Sequence, residues 1–366
     1  MWNGNLPRHL FDIGQKGYAD AAPVRYPDGM TVIDCALGTN PLGAPRPLLE
    51  FFDGSRSVEL SSYPPNEQAA LRKKLARHYR EWGVSEDQFL TGLGSMGVLL
   101  TLSRILLRPG TSFCGISPQF TDAVLQGLYN GAEYAPVTLK APRFAIYPDE
   151  LLASLERKPA VLYLDRPNNP TGQVLPLADL ERIARAAMDK GVWVFSDEAY
   201  GDFIPDSESA ACLNLPNVVT CRSFSKGWGA AGIRVGYAVA RDPELVRLYW
   251  TVQPVFTVDS ASAAMAEAIL EDGEYLERSR SYIRTAKERT MEALGKKPGW
   301  TVADTDVRVP ILFLSQREGN LVQRLADSGI ACEGGAGFFG CDDRSIRLRI
   351  PAPVALEEFL KRLVTA

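Results

Sequence analysis

Histidine is nearly missing from this chain: 366 residues contain two, His9 and His78, and His78 lies in the basic helical run KKLARHYREW. That argues against a histidine base or a histidine-rich metal site. The six cysteines, at 35, 114, 212, 221, 332 and 341, form no CxxC pair and no zinc-ligand spacing. Cys35 and Cys114 fall in apolar, strand-like runs and read as buried reduced thiols, which suits a cytoplasmic setting. Charge of one sign is not in excess either: 40 basic and 44 acidic side chains leave a net charge of -4. Nothing electrostatic therefore points to nucleic acid or to an anionic membrane surface. No apolar run approaches the roughly 18 residues of a membrane span. The N-terminal MWNGNLPRHLFDIG lacks the basic-then-apolar order of a secretory signal. Internal repeats and low-complexity tracts are missing, so the expectation is a globular protein of about two domains.

What the chain does have is alternation. Between about residues 89 and 240 the β-rich runs FLTG, TSFCGI, AVLYLD, VWVFSDE, VVTCRSFS and IRVGYAVA alternate with helical patterns such as MGVLLTLSRILL, FTDAVLQGLYNG and LADLERIARAAMDKG. This predicts an α/β fold with a mostly parallel sheet between helices, whose ligands bind at the carboxyl ends of the strands. After about residue 242 comes a long helical stretch, SASAAMAEAILED through TAKERTMEALG. The strands WTVAD and VPILFLS, the helix NLVQRLAD, the strand SIRLRI and the helix VALEEFLKRL follow it. That pattern predicts a smaller α+β domain. The domain reading is an N-terminal segment over 1–40 that packs with the small domain, a large domain over 41–253 and a small C-terminal domain over 254–366.

Gly92-x-Gly94-x-x-Gly97 in TGLGSMG has the spacing of a dinucleotide-binding loop, but the next strand-like run, FCGIS, leads into Ser117, Pro118 and Gln119 with no acid for a ribose. The other strand ends carry DRPNNPTG (165–172), SDEAY (196–200) and SFSKGWGAAGIR (223–234). They supply an amide, a carboxylate with a phenol three residues on, and a lysine between serines with an arginine eight residues on. Lys226 stands where a polar loop leaves a buried strand, a setting that lowers an amine's pKa and makes it a nucleophile toward carbonyls. Taken singly, each has an ordinary structural reading: Lys226 as a solvated loop residue, Asp197 as a helix cap, Asn169 as a turn residue before Pro170, Phe120 as core filling.

Together with GTNPLG (38–43), SSYPP (61–65), GLGSMG and SIRLRI, these motifs resemble the class I/II aminotransferase family of pyridoxal-phosphate (PLP) enzymes, fold type I. They are nearest the branch of histidinol-phosphate aminotransferase and the threonine-phosphate decarboxylase of cobalamin synthesis. The resemblance runs from about residue 33 to the C-terminus. It implies a cytoplasmic homodimer with shared active sites that binds PLP and acts on a small amino-acid substrate. It implies Lys226 as the Schiff-base lysine that also moves the proton at Cα, and Asp197 as the partner of the pyridine nitrogen. Asn169 and Tyr200 would bond the ring's 3-oxygen, and Phe120 would stack on the ring. Gly94, Ser95 and Met96, at a helix N-terminus, would cradle the phosphate with Ser223, Ser225 and Arg234, which accounts for the missing ribose acid. Tyr63 matches the tyrosine that reaches the neighbouring subunit's cofactor phosphate, and Asn40 would line the entrance.

In SIRLRI, Ile346, Leu348 and Ile350 share one face while Ser345, Arg347 and Arg349 share the other, so periodicity leaves both arginines open. The resemblance aligns Arg347 with the clamp for the substrate carboxylate and leaves Arg349 to a salt bridge. Two positions depart from the close relatives. Met96 stands where many histidinol-phosphate enzymes have an acid, and Arg166 precedes PNNPTG where a small or apolar residue is usual. Arg166 would either favour an acidic, phosphorylated or second-carboxylate substrate or pair with Asp165. Transamination is the first reading. The alternative is a lyase of the same fold, a decarboxylase or an elimination or cyclisation catalyst. A regulatory protein ranks below both, for want of a DNA-binding module before residue 33 and of basic excess, and a dinucleotide oxidoreductase ranks lower still.

Overall fold

The computed structural model describes residues 7–15, 17 and 24–366, so the expected packing of segment 1–40 lies partly outside the described residues. Every residue of the strand Val161–Asp165 is buried because successive side chains meet different layers. Leu162 and Leu164 cluster with Leu180, Ile183 and Ala187 of the helix Leu177–Asp189. Val161 and Tyr163 cluster with Val98 and Leu102 of the helix Gly94–Leu106 and with Val124 of the helix Thr121–Tyr129. The central sheet thus lies between two helical layers, as the alternation predicts.

Its seven strands run in the order Phe89–Leu93, Val235–Ala240, Val218–Ser223, Trp193–Asp197, Val161–Asp165, Ser112–Cys114 and Glu133–Tyr134. Val235–Ala240 is antiparallel to both its neighbours, and the other pairs are parallel. The register sets Asp165 opposite Asp197 and Asp197 opposite Cys221. Three strands therefore end side by side, and the loops carrying NNPTG, DEAY and SFSK leave from one edge.

The second sheet is four-stranded and antiparallel, in the order Trp300–Val302, Ile311–Gln316, Ser345–Arg349 and Glu333–Gly334. Ile346 and Leu348 cluster with Leu312, Leu325 and Phe359, the apolar face that the alternation in SIRLRI predicts. Ile33–Asp34 pairs in parallel with Ile330–Ala331, which carries the chain before GTNPLG against this sheet. The expected long helical stretch is two helices, Ser260–Ile269 and Gly273–Gly295. Each starts on an aspartate whose side chain accepts from a first-turn N–H, Asp259 from Ser262 and Asp272 from Tyr275. Ala263, Ala266 and Ile269 of the first helix cluster with Trp228 and Tyr237 of the large sheet's layer. No described helix is long and apolar enough to cross a membrane.

Candidate active site

Where the strands Val161–Asp165, Trp193–Asp197 and Val218–Ser223 end, a cavity of about 250 Å³ opens. Lys226, Asp197, Tyr200, Asn169, Phe120 and Arg347 all line it, brought from loops that the parallel register aligns. The Lys226 amine stands 5.5 Å from the centre of the Tyr200 ring. Burial, then the Arg347 and Arg234 guanidiniums, push that amine down to about 7, so much of it is neutral and nucleophilic at physiological pH.

Asp197 Oδ2 accepts from the Tyr163 hydroxyl at 2.8 Å and Oδ1 from the Ala199 N–H at 3.1 Å. Burial pushes its carboxyl up to about 6 against those two hydrogen bonds. Such an acid gains from a cation placed beside it, as a protonated pyridine nitrogen would be. Tyr163 was not foreseen. Its signal is its place two residues before Asp165 on the neighbouring strand, diagonal to Asp197 across the ladder.

The Tyr200 hydroxyl is buried with no hydrogen-bond partner among the described residues, a costly state that a ligand oxygen relieves. Gly38 closes the same corner. A Cβ there would come within 2.3 Å of the Tyr200 hydroxyl and 2.8 Å of Lys226 Nζ.

Ser95, Met96, Ser223, Ser225 and Arg234 line the other end of the cavity. Ser223 Oγ donates to Ser225 Oγ at 2.8 Å and accepts the Ser225 N–H at 3.1 Å. Ser225 Oγ also accepts from Arg234 Nη1 at 3.3 Å, which leaves its own proton for a ligand. Arg234 has φ 54, a left-handed conformation that a non-glycine residue adopts only where its surroundings hold it. A helix N-terminus facing the cavity, two serine hydroxyls and an arginine fit a phosphate dianion. Gly94 corrects one expectation: its N–H is taken by the Arg234 carbonyl at 2.7 Å, so it is not a cradle donor. What the site needs there is the missing side chain, since a Cβ would lie 2.6 Å from Arg234 Nη2.

Two further expectations change. Arg166 neither reaches the cavity nor pairs with Asp165. It is buried on the far side of the strand end, donating to the Leu175 carbonyl at 2.6 Å and to Glu198 at 3.4 Å. Asn40 does not line the entrance; its amide is bound to the Lys226 and Gly227 carbonyls at 3.0 and 2.8 Å and to Ser279 Oγ at 2.7 Å, bracing the lysine loop. Tyr63 lies outside the cavity of its own chain, 82% exposed and stacked on Phe256.

The two arginines of SIRLRI separate. Arg347 lines the cavity, with Nη1 on Asn169 Oδ1 at 3.0 Å and Nη2 on the Ala36 carbonyl at 2.5 Å. Arg349 pairs with Asp34 at 3.0 Å.

A larger groove of about 1090 Å³ opens between residues 139–144 and the strand Trp300–Val302, but its lining holds no lysine and no tyrosine. Among the described residues no group of histidine, cysteine and acidic side chains could hold a metal ion.

Residues 48–365 match the family described as aminotransferase class I and II. The chain is 30% identical to a histidinol-phosphate aminotransferase of Symbiobacterium thermophilum over 89% of its own length and 88% of the relative's. It is 34% identical to a histidinol-phosphate aminotransferase of Burkholderia mallei over 75% of its length and 76% of the relative's. Its fold matches the crystal structure of the Sinorhizobium meliloti histidinol-phosphate aminotransferase in complex with pyridoxal-5'-phosphate with a TM-score of 0.80 at 21% identity, covering 92% of this chain and 91% of the other. These relatives are aminotransferases, which favours amino-group transfer over the lyase reading. The chain belongs to the class I and II aminotransferase family, and it is an α/β, fold-type-I aminotransferase dependent on pyridoxal 5'-phosphate.

Proposed function

We propose that this enzyme transfers the amino group of an acidic or phosphorylated L-amino substrate, with Lys226 as the residue that carries the cofactor and moves the proton at the substrate's Cα. The observation that carries this reading is the Tyr200 hydroxyl, without a hydrogen-bond partner among the described residues and held with the Lys226 amine and the Asp197 carboxylate in one cavity. When bound, PLP supplies an aldehyde that takes up the amine and a ring that withdraws electrons from the carbon bearing it. The chain's own residues do the rest. Asp197, fixed by Tyr163, keeps a proton on the ring nitrogen. Tyr200 and Asn169 hold the 3-oxygen, and Phe120 covers one ring face. Ser95 and Met96, Ser223, Ser225 and Arg234 bind the phosphate. Arg347, held square by Asn169 and the Ala36 carbonyl, offers a guanidinium to one anionic group of the substrate. The named substrate of the relatives, histidinol phosphate, carries such a group, which supports a phosphorylated donor.

The enzyme works as a cytoplasmic homodimer. The exposed Tyr63 and Phe256 pair, beside Val255, is the apolar surface that supports a partner subunit there.

The test is a half-reaction. Purified wild-type enzyme, given histidinol phosphate or glutamate alone, should convert its yellow cofactor to the amine form without releasing CO₂. Lys226→Ala should retain no cofactor after borohydride treatment; borohydride-fixed cofactor in that variant would refute the assignment. Light scattering reads the dimer, and a monomer at working concentration would sink that part.

A further inference from the structure

Asp165 ends the strand Val161–Asp165 and lines the cavity, yet no arginine or lysine among the described residues pairs with it. Its buried carboxylate is met by N–H donors instead. Oδ2 accepts from the Phe120 N–H at 3.0 Å and the Asn169 N–H at 2.8 Å, and Oδ1 from Asn168 Nδ2 at 2.9 Å. Asn168 Nδ2 also donates to the Pro118 carbonyl at 3.2 Å. One side chain thus ties together two segments from different strand ends, 118–120 and 168–169. Those segments present the ring at 120 and the amide at 169, and that amide in turn receives Arg347.

We propose that Asp165 is a positioning residue, which holds the Phe120 ring, the Asn169 amide and, through Asn169, the Arg347 guanidinium in a common register about the cofactor. The proposal rests on the cavity being the seat of PLP, as inferred under the function. Its strength comes from how little freedom the network has. An asparagine at 165 keeps the shape of the side chain but replaces one acceptor oxygen by a donor. With the remaining oxygen left on the two main-chain N–H groups, the new NH₂ faces Asn168 Nδ2, donor to donor. Asn168 cannot relieve this by turning its amide over, because its own Oδ1 accepts from the Thr171 N–H at 3.2 Å and Thr171 Oγ1 at 2.5 Å. Turning the new amide instead strips both main-chain bonds of their acceptor. Either way the network loses at least one of the three hydrogen bonds by which residue 165 fixes the two segments.

The experiment compares holoenzymes: wild type, Asp165→Asn, Phe120→Ala, Asp165→Asn with Phe120→Ala, and Asp165→Asn with Asn168→Ala. For each we would measure the cofactor dissociation constant, the circular dichroism of the cofactor's visible band and the melting temperature. Asp165→Asn should bind the cofactor at least about tenfold more weakly, the scale of a lost hydrogen bond to a charged group, and should lose much of the visible dichroism. Phe120→Ala should cost less in the Asp165→Asn background than alone, because the ring is already misplaced. Asn168→Ala added to Asp165→Asn removes the opposed donor and should restore part of the dichroism. Wild-type affinity and dichroism in Asp165→Asn, with only a lower melting temperature, would overturn the proposal, as would fully additive losses. A wild-type protein that binds no PLP would overturn the reading of the cavity and the proposal with it, an outcome distinct from either.

Discussion

Gly38→Ala adds a single methyl group to the active site, and its consequence can be worked from two distances. The new Cβ would lie 2.3 Å from the Tyr200 hydroxyl and 2.8 Å from Lys226 Nζ. Ordinary contact needs about 3.5 Å, so the hydroxyl must retreat by about 1 Å and the amine by somewhat less. Lys226 is a long chain and yields readily. Tyr200 does not, because its ring is buried in the cluster with Ile33, Phe203 and Ile311 and cannot swing without moving that core. The displacement therefore falls on the corner shared by Tyr200 and Lys226, the groups proposed to hold the cofactor. A misplacement of about 1 Å at a reacting centre costs about 100-fold in rate, and that is the expected loss in kcat. Stability should fall by no more than about 1–3 kcal/mol, the usual range for an extra methylene in packed surroundings. Gly273→Ala is the control, since its Cβ meets nothing within 4 Å and leaves activity unchanged. Steady-state amino transfer and thermal melting on the two variants decide the matter. Wild-type kcat with an unaltered cofactor spectrum in Gly38→Ala would show that the corner is looser than these distances require.

Two more outcomes follow from the charges. The Lys226 amine must be neutral to take up an aldehyde. With its pKa pushed down to about 7, the rate of PLP uptake by the cofactor-free protein should rise with pH and be half-maximal near 7. Arg347→Met removes one of the cations responsible and should move that midpoint to higher pH; an unmoved profile would mean that the guanidinium does not act on the amine. Glu198 is buried and accepts from Arg222 Nε at 3.1 Å, Arg166 Nη1 at 3.4 Å, Ser209 Oγ at 2.6 Å and the Ala210 N–H at 2.7 Å. Glu198→Gln leaves the buried Arg166 guanidinium without an acid partner among the described residues, while Arg222 keeps Asp202 at 3.3 Å and Asp206 at 3.0 Å, and urea titration should read a loss of about 3–5 kcal/mol. A loss under about 1 kcal/mol would mean that the network relaxes.

Most of the architecture is legible in the sequence because the large sheet is built from strands buried on both faces, whose apolar runs end abruptly at polar loops. Those loop residues are the ones that converge on the cavity. What the sequence conceals is direction and side. Val235–Ala240 runs against its neighbours, and a strand apolar on both faces carries no mark of its direction. Glu133–Tyr134 is too short to show a period. Arg166 illustrates the question of side. The pleat that puts Tyr163 and Asp165 on one face of the sheet puts Leu162, Leu164 and then residue 166 on the other, so the arginine was never placed to meet the cofactor. Asn40 and Gly94 fail for a different reason: their polar groups are taken by main-chain partners distant in the chain, which no local pattern reveals.

The two ends of the cavity hold their cations differently, and the difference decides what each end can bind. At the phosphate end Arg234 is bound to a hydroxyl and to the Ala231 carbonyl, with no acid among the described residues against it. Its full charge, with the N-terminus of the helix Gly94–Leu106 and two serine hydroxyls, is available to a dianion. At the substrate end Arg347 has Glu333 3.9 Å away, directly across the strand pair. Burial raises the Glu333 pKa while the guanidinium lowers it, so the carboxylate offsets part of the arginine's charge without taking its place in a close bond. Arg349, the other cation of that strand, is committed to Asp34. Among the described residues, a substrate entering this end meets one partly balanced guanidinium, enough for a single anionic group. A second charge on the substrate would need a further cation, which the partner subunit of the proposed homodimer would supply.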